Sequence, residues 1–299
     1  MDKSLSVKHT IFVHGLLPTL DFQKAKCCAQ DVFKKLPNVF NPPVINGMLE
    51  FAWSGWMSAK KRELRSETWA FNSDVMVFCN SQLIGNTQDF LVWATDNYNF
   101  EDFRNEILYE TLRKEEYANY FQNTKNDFVY FDIVQDDQQL GRLLIELFKN
   151  ILPKTSENFR LLCTGEKGRT EDGTKQLDYK NTLIHRVVPN GWIQGGDIGS
   201  GKGNESESVY NGLFEDESFE VAHNKRGILG MSNHGRHTNG SQYYITLQPA
   251  PWMDKKYVAF GQVVEGSETL AKIENLATIN ERPQKECKIS DCGIFKYEF

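Results

Sequence analysis

Apolar residues in the second half of the chain form short runs separated by polar turns. Residues 128–134 are rich in aromatic and β-branched side chains, and residues 140–147 follow after a polar turn, so the two runs predict a hairpin. Residues 153–163 have helical spacing, with Pro153 suited to a first turn. Short runs between Gly-, Asn- and Asp-rich loops then continue to Phe299. This pattern predicts a closed antiparallel β-barrel with few helices.

The first part of the chain mixes strand and helix patterns. The predicted elements are strand 10–13, helix 21–36 with Asp21 as N-cap, strand 48–51, basic helix 58–67, hairpin 75–79 and 81–85, and helix 89–94. Their order, β-α-β-α-β-β-α, resembles that of thioredoxin-like domains. Residues 101–122 repeat their aromatic and aliphatic side chains at helical spacing, which predicts an amphipathic connecting helix.

The expected organisation is therefore multidomain. We predict an N-terminal α/β thioredoxin-like domain over residues 8–97, a helical connector over 98–125 and the barrel over 126–299. A redox-active thioredoxin needs a low-pKa cysteine where its first long helix begins, and residues 16–21 contain none. Cys27 and Cys28 lie within the helical pattern, where packing is the expected role, and thiol redox activity would require this pair to cycle. The domain is accordingly predicted to be redox-inactive and to serve recognition or docking.

Composition narrows the function classes. The 299 residues are 40% hydrophobic and carry a net charge of −6, which fits globular folding and argues against nucleic-acid binding. No run of about 18 apolar residues predicts a membrane span, and the first residues do not resemble a signal peptide. The six cysteines lack zinc-site spacing, so we expect reduced thiols, no metal, no cofactor and a cytoplasmic location.

Two segments of the barrel half carry the chemistry. Residues 185–197 run His-Arg-Val-Val-Pro-Asn-Gly-Trp-Ile-Gln-Gly-Gly-Asp, and residues 239–245 run Asn-Gly-Ser-Gln-Tyr-Tyr-Ile. Both resemble signature segments of the cyclophilins, the peptidyl-prolyl cis-trans isomerases, and the resemblance extends over residues 126–297. It implies a barrel of cyclophilin type that binds proline-containing segments of proteins.

The resemblance also implies roles for particular residues. Rotation about an X-Pro bond has a barrier near 20 kcal/mol because the amide C–N bond has partial double-bond character. Arg186 corresponds to the donor that stabilises the twisted prolyl nitrogen, and Gln194 to the glutamine that supports it. The implied substrate-binding residues are Gly191, Trp192, Ser232, Asn233, Gln242, Tyr244, Trp252, Met253 and Tyr257.

Four of these positions depart from the usual cyclophilin pattern. Gly191 and Trp192 replace a phenylalanine and a methionine, Tyr244 replaces a phenylalanine, and Tyr257 replaces a histidine. Loss of a buried aromatic ring costs several kcal/mol of packing. The departures therefore predict a remodelled proline pocket and weak catalysis.

Two function hypotheses remain open at this point. The first is a slow prolyl isomerase, and the second is a non-catalytic binding or structural protein. The whole-chain arrangement resembles a cyclophilin branch associated with ciliated cells, which implies a ciliary, axonemal microtubule assembly as the setting. The basic residues within 60–65 would suit an acidic, tubulin-like surface.

Overall fold

The chain folds as two compact units. The computed structural model describes residues 8–65 and 68–297. The first unit ends at Asn123, and the second covers Thr124–Tyr297. Within the described residues, no helix combines the length and apolar character that a membrane crossing requires.

The first unit is an α/β structure. Its elements are β1 (Ile11–Leu16), α1 (Leu20–Lys35), β2 (Val44–Met48), α2 (Glu50–Leu64), β3 (Val75–Cys79), β4 (Gln82–Gly85), α3 (Thr87–Tyr98) and α4 (Glu106–Asn123). The sheet order is β2-β1-β3-β4. β1 and β2 are parallel, and the other two pairs are antiparallel. The predicted order of strands and helices over residues 10–94 is confirmed.

Three predictions about where elements begin or end in this unit are wrong. The strand expected over residues 48–51 ends at Met48, and α2 begins at Glu50 rather than near residue 58. The strand lies earlier because residues 44–48 pair with β1, and Gly47 permits close approach of Leu17 and Phe22. The N-cap of α1 is Thr19, whose hydroxyl accepts a bond from the Phe22 N–H, and not Asp21.

The connecting helix and the cysteine pair both contribute to packing around α1. In α4, Glu116 accepts a hydrogen bond from Gln23 at 2.7 Å and pairs with Lys26 at 2.8 Å. Cys27 and Cys28 are free thiols buried in α1, and burial raises the pKa of both. A raised pKa suppresses the thiolate, so this pair is suited to packing rather than to redox exchange.

The second unit is an eight-stranded barrel with helices. Its elements are β5 (Asp127–Gln135), β6 (Gln138–Leu147), α5 (Pro153–Thr164), β7 (Ile184–Val188), β8 (Trp192–Gly195), β9 (Ile228–Met231), β10 (Tyr243–Thr246), β11 (Ala259–Glu265), α6 (Ser267–Glu274), β12 (Thr278–Ile279), β13 (Arg282–Pro283) and β14 (Cys287–Ile294). The barrel sheet has the order β14-β5-β6-β11-β9-β10-β8-β7. Neighbouring strands are antiparallel throughout.

Backbone hydrogen bonds bring the two ends of this sheet together. Asn181 donates to Ile289 of β14 at 2.7 Å, and Ile289 donates to Thr182 at 3.0 Å, just before β7 begins. The barrel is thus nearly closed, as the strand pattern predicted. Its core is aromatic: the rings of Phe131, Phe159 and Tyr243 pack with centroids 5.5–5.6 Å apart.

Candidate functional site

Four neighbouring strands place the principal site residues in one row. Arg186 on β7 is opposite Gln194 on β8, Gln194 is opposite Tyr244 on β10, and Tyr244 is opposite Gly230 on β9. Residues directly opposite each other in a ladder share a face of the sheet. The barrel therefore gathers residues from distant parts of the chain on one surface.

Hydrogen bonds fix the polar side of this surface. Gln194 Nε2 donates to Ser232 Oγ at 3.1 Å and to Gln242 Oε1 at 2.9 Å. Gln242 is 2% exposed, and its own Nε2 donates to the carbonyls of Gly203 and Glu205 at 3.0 Å. We call Arg186, Gln194, Ser232 and Gln242 the polar network. Its two glutamines have little freedom to reorient.

The loop that anchors Gln242 is itself held by Asp197. The Asp197 carboxylate accepts backbone N–H bonds from Gly203, Asn204 and Glu205, the first at 2.7 Å. Burial acts to raise the pKa of Asp197, but the donated N–H bonds outweigh it and lower that pKa. The loop thus holds a charged carboxylate at its centre and keeps its two carbonyls facing Gln242.

Arg186 lies between a carboxylate and an aromatic ring. Its Nε donates to Glu281 Oε2 at 2.6 Å, and both side chains are about two-fifths exposed. The guanidinium carbon lies 5.1 Å from the centre of the Trp192 ring, which is within cation–π range. Two contacts therefore hold the group that resemblance assigns to the prolyl nitrogen.

The apolar side of the site is filled by its own side chains. Tyr244 and Met253 are only 2% and 3% exposed, and Trp192 and Tyr257 pack against them. We call Trp192, Tyr244, Met253 and Tyr257 the aromatic cluster. Trp252 is 53% exposed at its rim, with its ring centre 5.8 Å from that of Trp192. Tyr244 and Met253, which the resemblance implies as substrate-binding residues, are thus buried in this structure.

Gly191 contributes no wall to the pocket because it belongs to a turn. Its N–H donates to the Val188 carbonyl at 2.9 Å, and its carbonyl accepts from Leu247 N–H at 2.8 Å. A Cβ at Gly191 would meet Val188 Cγ1 at 2.9 Å, which is closer than carbon atoms pack. A side chain at 191 would therefore have to displace Val188.

The hydroxyl of Tyr244 enters a buried polar chain. His223 lies 2.6 Å from this hydroxyl through Nε2 and 2.7 Å from Asp254 Oδ1 through Nδ1. Burial lowers the pKa of His223, so the imidazole is neutral near pH 7. A neutral ring that donates from Nδ1 to Asp254 accepts the Tyr244 O–H at Nε2. Gly230 makes room, because a Cβ there would collide with the Tyr244 ring and hydroxyl.

Two further polar residues lie beside the named groups. Asn233, next to Ser232, accepts from Gly235 N–H at 3.3 Å, while its Nδ2 is buried without a hydrogen-bond partner among the described residues. His185 precedes Arg186 and is 7% exposed, and burial lowers its pKa. Among the described residues, no three His, Cys, Asp or Glu side chains are grouped so that they could hold a metal ion.

The structure brings together most of the positions that the sequence motifs indicated, but not Gly191, and it adds four that they did not. Arg186, Gln194, Ser232 and Gln242 form the polar side, and Trp192, Tyr244, Met253 and Tyr257 form the apolar side. The residues that sequence reasoning missed are Glu281, His223, Asp254 and Gly230. One signal was available: a buried tyrosine hydroxyl requires a hydrogen-bond partner, so Tyr244 implied a polar group behind it.

Comparison with known proteins extends these observations to most of the chain. Residues 130–294 match the family described as cyclophilin type peptidyl-prolyl cis-trans isomerase/CLD. A mouse protein (Mus musculus) is 50% identical over 282 residues, covering 94% of this chain and 90% of its own. It is named "Probable inactive peptidyl-prolyl cis-trans isomerase-like 6".

Proteins of the same name from two other mammals give similar values. The human protein (Homo sapiens) is 46% identical over 292 residues, 98% of this chain and 92% of its own. The cattle protein (Bos taurus) is 48% identical over 281 residues, 94% and 91% respectively. The similarity includes the first unit, so the resemblance of the whole arrangement to one cyclophilin branch is confirmed.

Proposed function

Since the chain belongs to the cyclophilin-type peptidyl-prolyl cis-trans isomerase family, we propose that its barrel binds X-Pro segments and catalyses their isomerisation only weakly. The observation that carries this proposal is the contrast at the site: the polar network is hydrogen-bonded and in register, whereas Trp192 packs against the buried cluster that contains Tyr244 and Met253. The barrel would thus bind the peptide through its polar residues while the proline ring has poor access to the apolar side of the site.

The polar network supports peptide binding. Arg186 presents a permanently charged donor group, and Gln194 is held beside it by Ser232 and Gln242. The buried Nδ2 of Asn233, which lacks a hydrogen-bond partner among the described residues, would suit a carbonyl of a bound backbone after a small local shift. A hydrogen bond to a charged group contributes about 1.5–3 kcal/mol. Such a contribution favours binding but supplies only part of an isomerase's acceleration.

The aromatic cluster accounts for weak catalysis. An isomerase must grip the proline ring so that only one side of the bond rotates. Here Tyr244 and Met253 are almost fully buried, and Trp192 and Tyr257 pack against their cluster. We propose that Trp192, which also contacts Arg186, must move before a proline ring can reach them. Each isomerisation event therefore requires the free energy that displaces Trp192.

The test uses the full chain and a short peptide with a single Ala-Pro bond. Two-dimensional NMR exchange spectra measure cis-trans interconversion, and titration gives the dissociation constant. We expect binding with slow exchange, and Arg186→Ala to weaken binding by about tenfold through loss of a charge-assisted hydrogen bond. Lys180→Ala, which removes an exposed surface ion pair with Asp291, is the control and should leave binding unchanged. Equal binding by wild type and Arg186→Ala would refute the proposal.

A second candidate is a purely non-catalytic component of a ciliary microtubule assembly. The supporting observation is the C-terminal end of α2, where Arg62 and the C-cap residue Arg65 are exposed beside the partly exposed Lys60 and Lys61. These cations would complement an acidic, tubulin-like surface. Co-sedimentation with microtubules should occur and should decrease in a Lys61→Glu, Arg62→Glu variant. Absence of co-sedimentation, or sedimentation unaffected by these substitutions, would count against this candidate.

For the first unit we propose a thioredoxin-like docking domain without redox activity. The order of its elements and its β2-β1-β3-β4 sheet support the comparison with thioredoxin-like domains. The buried Cys27 and Cys28 thiols support the absence of redox exchange. Thiol labelling under native conditions should leave both cysteines unmodified, and rapid cycling between their reduced and oxidised forms would contradict this assignment.

A further inference from the structure

Glu281 occupies an unusual backbone position. It lies in the two-residue turn between β12 and β13, with φ of 66°, and the preceding Asn280 has φ of 48°. This left-handed region is readily adopted by glycine and tolerated by asparagine, but it is uncommon for a glutamate. Contacts made by Glu281 hold this uncommon backbone conformation in place.

Those contacts join Glu281 to two successive residues of β7. Its backbone carbonyl accepts the Val187 N–H at 2.7 Å, which fixes the turn against the strand. Its carboxylate accepts the Arg186 Nε–H at 2.6 Å. The backbone bond therefore places the carboxylate, and the carboxylate in turn limits where the guanidinium can point.

The restraint continues from Arg186 into the aromatic cluster. The guanidinium lies over Trp192 at 5.1 Å, and Trp192 packs against the buried cluster of Tyr244, Ala250 and Met253. A hydrogen bond to a carbonyl of a bound peptide requires the guanidinium to turn toward that peptide. Such a turn acts against its contact with Glu281.

We propose that Glu281 is a positioning residue that restrains Arg186 over Trp192 and so opposes peptide binding at the site. This inference rests on the proposed X-Pro binding function. The ion pair is about two-fifths exposed on both sides, so its influence is modest and sensitive to salt. An exposed pair of this kind changes an equilibrium by up to about fivefold.

The experiment compares Glu281→Gln, Glu281→Gly and Asn280→Gly in the full chain. Asn280→Gly is the matched control, because it relaxes the same turn while it keeps the carboxylate. We expect both Glu281 variants to bind the Ala-Pro peptide about three- to fivefold more tightly at low salt, with a smaller gain at high salt. The Arg186 Nε–H resonance in NMR spectra should shift in both Glu281 variants and stay unchanged in Asn280→Gly.

The outcomes separate this inference from the function on which it rests. Unchanged or weaker binding by both Glu281 variants, while Arg186→Ala still reduces binding, would overturn the restraint and leave the proposed function intact. Equal gains in Asn280→Gly and Glu281→Gly would assign the effect to turn flexibility and would also overturn it. No effect of Arg186→Ala would refute the proposed function itself. Glu281→Gln retains side-chain size, so the test does not depend on Glu281→Gly folding.

Discussion

The polar network and the aromatic cluster share one face of the barrel but differ in their contacts. The first is hydrogen-bonded and partly exposed, and the second is packed and buried. In the polar network, Gln194 and Gln242 bond to each other and to a loop, while Arg186 retains exposed surface. In the aromatic cluster, Tyr244 and Met253 are covered by neighbouring rings. The hydrogen-bonding groups of this site are thus in register while its apolar side chains pack on one another, and under the proposed function peptide binding and catalysis would respond to different substitutions.

The largest expected effect is on the support behind the aromatic cluster. Gly230→Ala places a Cβ against the Tyr244 ring, which must shift and lose its bond to His223. We expect a loss of about 3 kcal/mol, at the upper end for overpacked cores. Hydrogen exchange of the β10 amides measures it. Gly293→Ala on β14, where the nearest atom is 3.3 Å from the added Cβ, should cost clearly less. Similar losses of stability in both variants would show that the Tyr244 ring does not specifically require the space at Gly230.

The next largest effect is expected from Trp192→Ala, which should open the apolar side of the site. Trp192→Ala should uncover Tyr244 and Met253, at a cost of about 2 kcal/mol in stability. Because the proline ring can then bury apolar area, we expect about tenfold tighter binding of the Ala-Pro peptide. Trp252→Ala, at the exposed rim, is the control and should bring no gain. Unchanged affinity after Trp192→Ala would mean that Trp192 does not obstruct the pocket.

A smaller effect tests the polar chain behind Tyr244. Tyr244→Phe leaves His223 Nε2 without its buried donor, and we expect a cost of about 1–2 kcal/mol. The neighbouring Tyr257→Phe has no described hydrogen bond to lose and should change stability by less than about 0.5 kcal/mol. Urea unfolding of both variants gives the comparison. Equal stability of Tyr244→Phe and wild type would show that the Tyr244 hydroxyl does not stabilise the fold.

The smallest effect is a dependence on pH. The pKa of His223 is lowered by burial in the folded state, whereas the unfolded chain titrates near 6.5. The unfolded state therefore binds the proton more readily, and stability falls as the pH decreases from about 7 to 5. In His223→Gln this slope should be shallower, with a remainder from His185, whose pKa is also lowered. An unchanged slope would assign the pH dependence to other groups.

The sequence predicted most elements because the apolar spacing was clear in the segments that form the barrel. The β5–β6 hairpin and α5 followed directly from aromatic runs and helical spacing. The boundary between β2 and α2 failed because the apolar run from Met48 to Phe51 is too short to distinguish strand from helix.

For the site, motifs located the residues but could not give their contacts. Gly191-Trp192 indicated a changed pocket, yet only the fold shows that Trp192 packs against the buried cluster that contains Tyr244 and Met253. Glu281 is 95 residues from Arg186 along the chain, and the two meet only because β13 lies beside β7. Contacts between residues so far apart in the sequence depend on tertiary structure, and no local sequence pattern predicts them.

The space at Gly230 makes two positions of the chain interdependent. With any side chain at position 230, the Tyr244 ring could not lie where it does. With glycine at 230, the tyrosine hydroxyl reaches His223. A side chain at position 230 is therefore excluded for as long as the tyrosine ring keeps its place, and tolerance to substitution at 230 is set by the residue at 244.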